Sequence, residues 1–252
     1  MRLRITLCLV LFLNLLSEAG YAQADSLDID RIEEKFEPKP HKFYWSNALD
    51  AAIFSTSTYS YPGKSSQLST LRFSYFFNFG FNFNYDFSNH VGLYTGVGIK
   101  NIGYIEQIKA VDSTIKRRVY TIGVPLGIKI GNIKRRNYIM LGGGLDVPFN
   151  YKEKGFIKRG NKEKFNEWFS DRTPLLMPYV FVGGSFAPGI SLKLQYYPGN
   201  FMNTDYQENM VVGGVPTMVK PYAGYNVNLV LLSLGMDIHY KGKSKMKHLF
   251  NK

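Results

Sequence analysis

The sequence predicts an all-β protein, an eight-stranded antiparallel up-and-down transmembrane β-barrel, on three observations. Apolar residues alternate with a period of two over stretches longer than soluble strands, eight such stretches can be counted, and the connections between them run alternately short and long. The clearest stretch is RFSYFFNFGFNFNYDF, residues 72–87, where Phe73, Tyr75, Phe77, Phe79, Phe81, Phe83, Tyr85 and Phe87 line one face. Soluble strands run about 5–6 residues, whereas a tilted strand needs roughly 9–11 to cross a bilayer. An alternation kept for 16 residues therefore turns its aromatic face to lipid.

The start of the chain points to export. Arg2 and Arg4 precede an apolar run of 12 residues, Ile5 to Leu16, and small residues around Ala22 offer a cleavage site, so residues 1–22 read as a secretory signal peptide. A membrane-anchoring helix needs about 20 apolar residues. The one cysteine, Cys8, lies inside that run, which leaves the mature chain without disulfides, thiolate metal sites or a cysteine nucleophile. Cleavage takes the net charge from +12 to +11, yet an exported chain rarely meets nucleic acid, and these charges fall in turns, one loop and the tail. No later run reaches 18 apolar residues, so a membrane form must be a closed barrel, whose backbone groups are all paired.

Residues 23–42 read as a polar periplasmic leader without a core-forming pattern, residues 43–241 as the barrel, and residues 242–252 as a basic C-terminal tail. Within the barrel the expected strands are 46–60, 70–87, 91–107, 117–131, 136–150, 177–187, 189–201 and 224–241. In the fourth, Tyr120, Ile122, Val124, Leu126, Ile128 and Ile130 oppose Thr121, Gly123, Pro125, Gly127 and Lys129; in the seventh, Ile190, Leu192, Leu194 and Tyr196 oppose Ser191, Lys193 and Gln195. The eighth changes phase near Leu229, the mark of a bulge. Short turns join strands two to three, four to five and six to seven. Longer loops at 61–69, 108–116, 151–176 and 202–223 fall at the other end, as in barrels with short periplasmic turns and long outer loops.

The signal peptide, RRVYTIGVPLGIKIG, the glycine-rich YIMLGGGLDVPF, and LKLQYYPGNF before a long loop resemble the Bacteroidetes-type outer-membrane β-barrel domain, which includes PorT-like proteins and is similar in architecture to OmpA and OmpX barrels. The resemblance spans about 43–241 and carries no catalytic residues. It implies the cell outer membrane, and, for a PorT-like protein, a partner in secretion or gliding machinery. Many outer-membrane barrels end on an aromatic residue. This chain instead runs past Tyr240 into KGKSKMKHLFNK, where Lys241, Lys243, Lys245, Lys247 and Lys252 make a basic tail.

If the odd residues of strand two face lipid, the lumen receives Asn78, Asn82, Asn84, Asp86, Lys100, Glu106, Lys129, Asp146, Lys193, Gln195, Asp237 and His239. An eight-stranded barrel is just wide enough for side chains to fill. The charged set Lys100, Glu106, Lys129, Asp146, Lys193, Asp237 and His239 is therefore expected to pair as a lumen network, which disfavours a narrow porin-like channel. A lipid A-modifying enzyme is the other alternative: Ser233, Asp237 and His239 share a face, but Ser233 lies three same-face steps of about 7 Å each from His239, too far for a nucleophile and its base. His41, His90 and His248 are scattered, so neither a metal nor a cofactor is expected. In the loop 152–174, Phe165, Trp168 and Phe169 sit at helical spacing, which predicts an amphipathic turn on the barrel rim. Its aromatics would enter the outer leaflet while Lys158, Arg159, Lys162 and Lys164 meet lipopolysaccharide phosphates. The expected protein is thus non-enzymatic, an envelope structural or interaction component, with outer-membrane lipid, lipopolysaccharide and envelope proteins as partners.

Overall fold

The computed structural model describes residues 43–61, 64–74, 78–108, 113–157 and 162–239. The signal segment, the leader, Tyr240 and the basic tail lie outside them, as do Tyr75, Phe77, Lys158 and Arg159. The described residues form strands β1 (Phe43–Tyr61), β2 (Lys64–Leu68), β3 (Arg72–Ser74), β4 (Asn78–Asp86), β5 (Val91–Ile108), β6 (Ser113–Asn132), β7 (Asn137–Ile157), β8 (Lys162–Trp168), β9 (Met177–Phe186), β10 (Ile190–Tyr197), β11 (Glu208–Val212), β12 (Val215–Val219) and β13 (Asn226–His239). Each long strand pairs antiparallel with the next, and β13 pairs with β1, from Ser46 opposite His239 to Ser60 opposite Asn226. The ring β1, β3 with β4, β5, β6, β7, β9, β10, β13 is a closed eight-stranded up-and-down barrel.

Closure leaves two faces. On the outer one, Phe79, Phe81, Ile122, Val124, Leu126, Leu141, Leu145, Val182, Leu192, Leu194 and Leu234 are all exposed. Water would not tolerate so continuous an apolar girdle, and hydrocarbon requires it, so this is a membrane barrel of the outer-membrane type. Aromatic residues flank the girdle. Trp45 packs edge-on against Phe83 at 4.6 Å and Tyr85 against Phe87 at 5.2 Å near the short turns, while Tyr120, Phe149 and Trp168 form a ladder at the other end with centroid separations of 6.3 and 5.9 Å. From Tyr120 to Ile130 the outward residues of β6 cover one tilted crossing of about 9–11 residues.

Three expectations change. Strand β13 keeps one phase, with Val227, Leu229, Leu231 and Ser233 all buried inward; the bulge lies on its partner β1, where the register slips between Asp50 and Ala52 and the inward set passes from Ser46 and Asp50 to Ile53, Ser55 and Ser57. The 16-residue aromatic stretch is described as two segments: β3 and β4 pair with β1 in registers that differ by one residue. And the loop 152–174 is no helical turn: β7 runs on to Ile157 and β8 folds back along it, Asn150 opposite Trp168 to Phe156 opposite Lys162. The extended β7 edge offers backbone partners that a short helix cannot match.

The rim is uneven as a result. Strands β5, β6 and β7 have 18, 20 and 21 residues and rise past the girdle, whereas β9 and β10 have 10 and 8. An arginine at Leu126, near mid-girdle, is expected to lower stability in lipid vesicles by about 2–4 kcal/mol, read by denaturant unfolding. The wild-type protein should show a boiled-versus-unboiled gel shift with a strong β signal in circular dichroism.

Candidate functional site

The inward face is a filled lumen tied across by charged groups in three layers. Nearest the short turns, Lys129 on β6 reaches Asp86 on β4 at 2.6 Å, Asn84 at 3.2 Å and the Tyr44 hydroxyl on β1 at 2.8 Å. In the middle, Lys100 on β5 meets Asp146 on β7 at 2.8 Å, and the Tyr197 hydroxyl on β10 donates to Asp146 at 2.6 Å. Nearest the long loops, Arg117 on β6 bonds Glu106 on β5 and, at 3.1 Å, Glu153 on β7. Tyr151 donates to Glu153 at 2.6 Å and Tyr225 to Glu106 at 3.3 Å. Glu106, Lys129 and Asp146 are at most 1% exposed, so each charge depends on its partner.

Two of these layers join strands that are not neighbours, and glycine makes that possible. Asp86 and Lys129 flank Gly92 on β5, which is in register with both; a Cβ there would overlap the Asp86 carboxylate and crowd the Lys129 stem. Gly123 on β6 is in register with Asp146, and a Cβ there would overlap the Asp146 carboxylate and crowd the stem of Lys100, which reaches over from β5. Further along, the rings of Tyr94, Phe181 and Tyr179 lie against Gly127, Gly142 and Gly144, where added side chains would collide with them. The third layer joins adjacent strands, Arg117 being opposite both Tyr104 and Glu153, and needs no glycine.

Of the sequence-predicted lumen set, Lys100 and Asp146 are thus brought together. Glu106 and Lys129 are buried with other partners, and Lys193 has its ammonium 5.9 Å from the Phe181 ring. Asp237 lies on the inward face of β13, and the His239 side chain is outside the described part. Ser233 is buried, and its hydroxyl has no hydrogen-bond partner among the described residues. A small void of about 60 Å³ lies between Asp50, Lys100 and Lys193. Sequence reading missed Arg117, Glu153, Tyr44, Tyr151 and Tyr197. Arg117 shares the inward parity of Thr121 and Lys129, a usable signal; Glu153 does not, because a register slip opposite Tyr120 and Thr121 turns Tyr151 and Glu153 inward.

At the loop end, Arg172 gathers the connections. Its guanidinium binds Glu208 at 2.7 Å and Tyr222 at 3.0 Å, lies 3.5 Å from Glu167, and covers the rings of Phe165 and Tyr206, each at 4.7 Å. Burial alone would lower its pKa, but Tyr222, Tyr206 and Glu208 outweigh that and raise it above the ordinary value. Lys164, Trp168 and Phe169 are exposed beside this cluster; of Lys162 only the backbone is described.

No family model matches the chain, and no curated protein does. Among solved structures it is similar to the Neisserial surface protein NspA, with 15% identity over 79% of this chain and 98% of that one and a TM-score of 0.40. It is also similar to Ail of Yersinia pestis, solved with the heparin analogue sucrose octasulfate (13%, 77% and 99%, TM-score 0.35), and to the outer membrane protein OprG from Pseudomonas aeruginosa (11%, 79% and 97%, TM-score 0.30).

Replacing Lys100 by Met is expected to destabilise the barrel by about 3–5 kcal/mol, because Asp146 is left buried with its charge unmatched. Adding Asp146→Leu to the same chain should recover a large part of the loss, which a double-mutant cycle of unfolding free energies will show.

Proposed function

We propose that this chain is a non-enzymatic protein of the cell outer membrane whose outer rim, not its lumen, does the binding, with an envelope protein as partner. The carrying observation is the Arg172 cluster, which joins the β8–β9 connection to the β11–β12 hairpin and so turns separate loops into one platform. That hairpin is a two-stranded sheet of its own with Met210, Val211, Val215 and Met218 exposed. An isolated hairpin is marginal in water, and an apolar ribbon displayed this way suits a protein partner. The PorT-like resemblance would make that partner part of secretion or gliding machinery. The three charged layers support a plug in preference to a channel.

Beside the platform, Trp168 stacks on the lipid-facing Phe149, an arrangement suited to the headgroup boundary, with Lys164 near lipopolysaccharide phosphate. In planar bilayers the purified protein should give no discrete conductance steps; steady steps would make it a channel. Lipid A from a deletion strain should keep its wild-type mass, and a changed mass would argue for the enzyme. Arg172→Ala should speed proteolytic cleavage within residues 204–222 and weaken cross-linking to the envelope partner, while the heat-modifiable band persists. Replacing Trp168 and Phe169 together by Ala should weaken lipopolysaccharide binding, and unchanged binding would remove the rim from that role.

A further inference from the structure

The low side of the rim contains a break in the wall. Strand β9 pairs with β7 up to Met177, opposite Asp146, but with β10 only up to Val180, opposite Tyr196. Above that level no strand among the described residues closes the space between β9 and β10. The connection after β10 fills it from inside: the Phe201 amide donates to the Val227 carbonyl at 2.8 Å, and Phe201 and Met202 are buried. Behind the break is a cavity of about 250 Å³ lined by Met177, Tyr197, Phe201, Met202 and Leu229 from the lumen side and by Leu176 and Pro178 from the outside. Its lining therefore passes through the wall, from inward to outward residues.

Depth and chemistry identify what fits. Strand β9 runs 10 residues from the short turn at 187–189, one tilted crossing of about 9–11 residues, so the break opens at the far boundary of the hydrocarbon. Leu175 and Leu176 are exposed at that level, 78% and 51%. The neighbouring amides are already in use: Asn200 accepts from the Met202 and Val227 amides and donates to Tyr225, and Asn203 accepts from the Asp205 amide and donates to Asp171. With these amides engaged, the rest of the lining is apolar apart from the Thr204 side chain. A dry cavity of about 150 Å³ holds benzene, and this one is larger. We infer that the break between β9 and β10 binds one aliphatic chain, entering sideways from the outer boundary of the membrane and ending against Phe201, Met202 and Leu229.

The test uses the full chain in lipid nanodiscs with two probes, a phosphatidylcholine and a free palmitic acid, each carrying a diazirine at the chain end. Label mapped by mass spectrometry is expected on Met177, Phe201 or Met202. Label from the phospholipid assigns the chain to a membrane lipid, and label from the free acid alone assigns it to a diffusing apolar molecule. Gly199 lines the cavity with nothing within 4 Å of an added Cβ, so Gly199→Phe adds a ring at the cavity mouth without forcing the backbone. That variant should keep its heat-modifiable band and lose cavity label about tenfold, with girdle label at Phe81 and Leu126 unchanged. In the wild-type protein, excess unlabelled palmitic acid should displace the label of the free-acid probe, and excess unlabelled phosphatidylcholine that of the lipid probe. Label confined to the girdle, or cavity label that neither the substitution nor the matching competitor reduces, overturns the inference.

Discussion

Eight strands close on a lumen only wide enough for side chains, so a charge turned inward must find its counter-charge within reach of the wall itself. Strand spacing is about 4.8 Å, and an ion pair between non-adjacent strands has to pass over whatever the middle strand points inward. Gly92 and Gly123 are the places where that obstacle is removed. The Asp86–Lys129 and Lys100–Asp146 pairs follow from them, and so does the filling of the lumen. With the interior occupied, the chemistry available to partners moves to the rim and to the outer wall.

The sequence carries the barrel well because lipid and lumen impose opposite demands on alternate residues. Strand β6 is the plain case: its greasy outward row from Tyr120 to Ile130 and its inward Thr121, Gly123, Gly127 and Lys129 are visible in the alternation of the sequence itself. Legibility fails where the period itself changes. On β1 a register slip near Asp50 turns Ile53, Ser55 and Ser57 inward, and on β7 a slip near Phe149 does the same for Tyr151 and Glu153. A reading that keeps one phase misassigns every residue beyond such a slip. The phase change suspected at Leu229 arose because inward Val227, Leu229 and Leu231 are as apolar as the outward row.

Segment 162–168 shows another limit. Spacing of Phe165, Trp168 and Phe169 suits a helix, and only the length of β7 decides otherwise, since an unpaired edge captures the returning chain. Pairing of Lys100 with Asp146 was likewise open until the strands were in register, because the inward list held several acids and bases and no pattern in it chooses partners.

The uneven rim gives the barrel a front and a back in the plane of the membrane. A neighbour diffusing toward β5–β8 meets protein wall above the level of the lipid chains; one approaching β9 and β10 meets bilayer up to the edge of the strands. Rotation about the membrane normal, which leaves a symmetric cylinder unchanged, therefore alters what this molecule presents. Its encounters within a crowded membrane acquire an orientation from strand length alone.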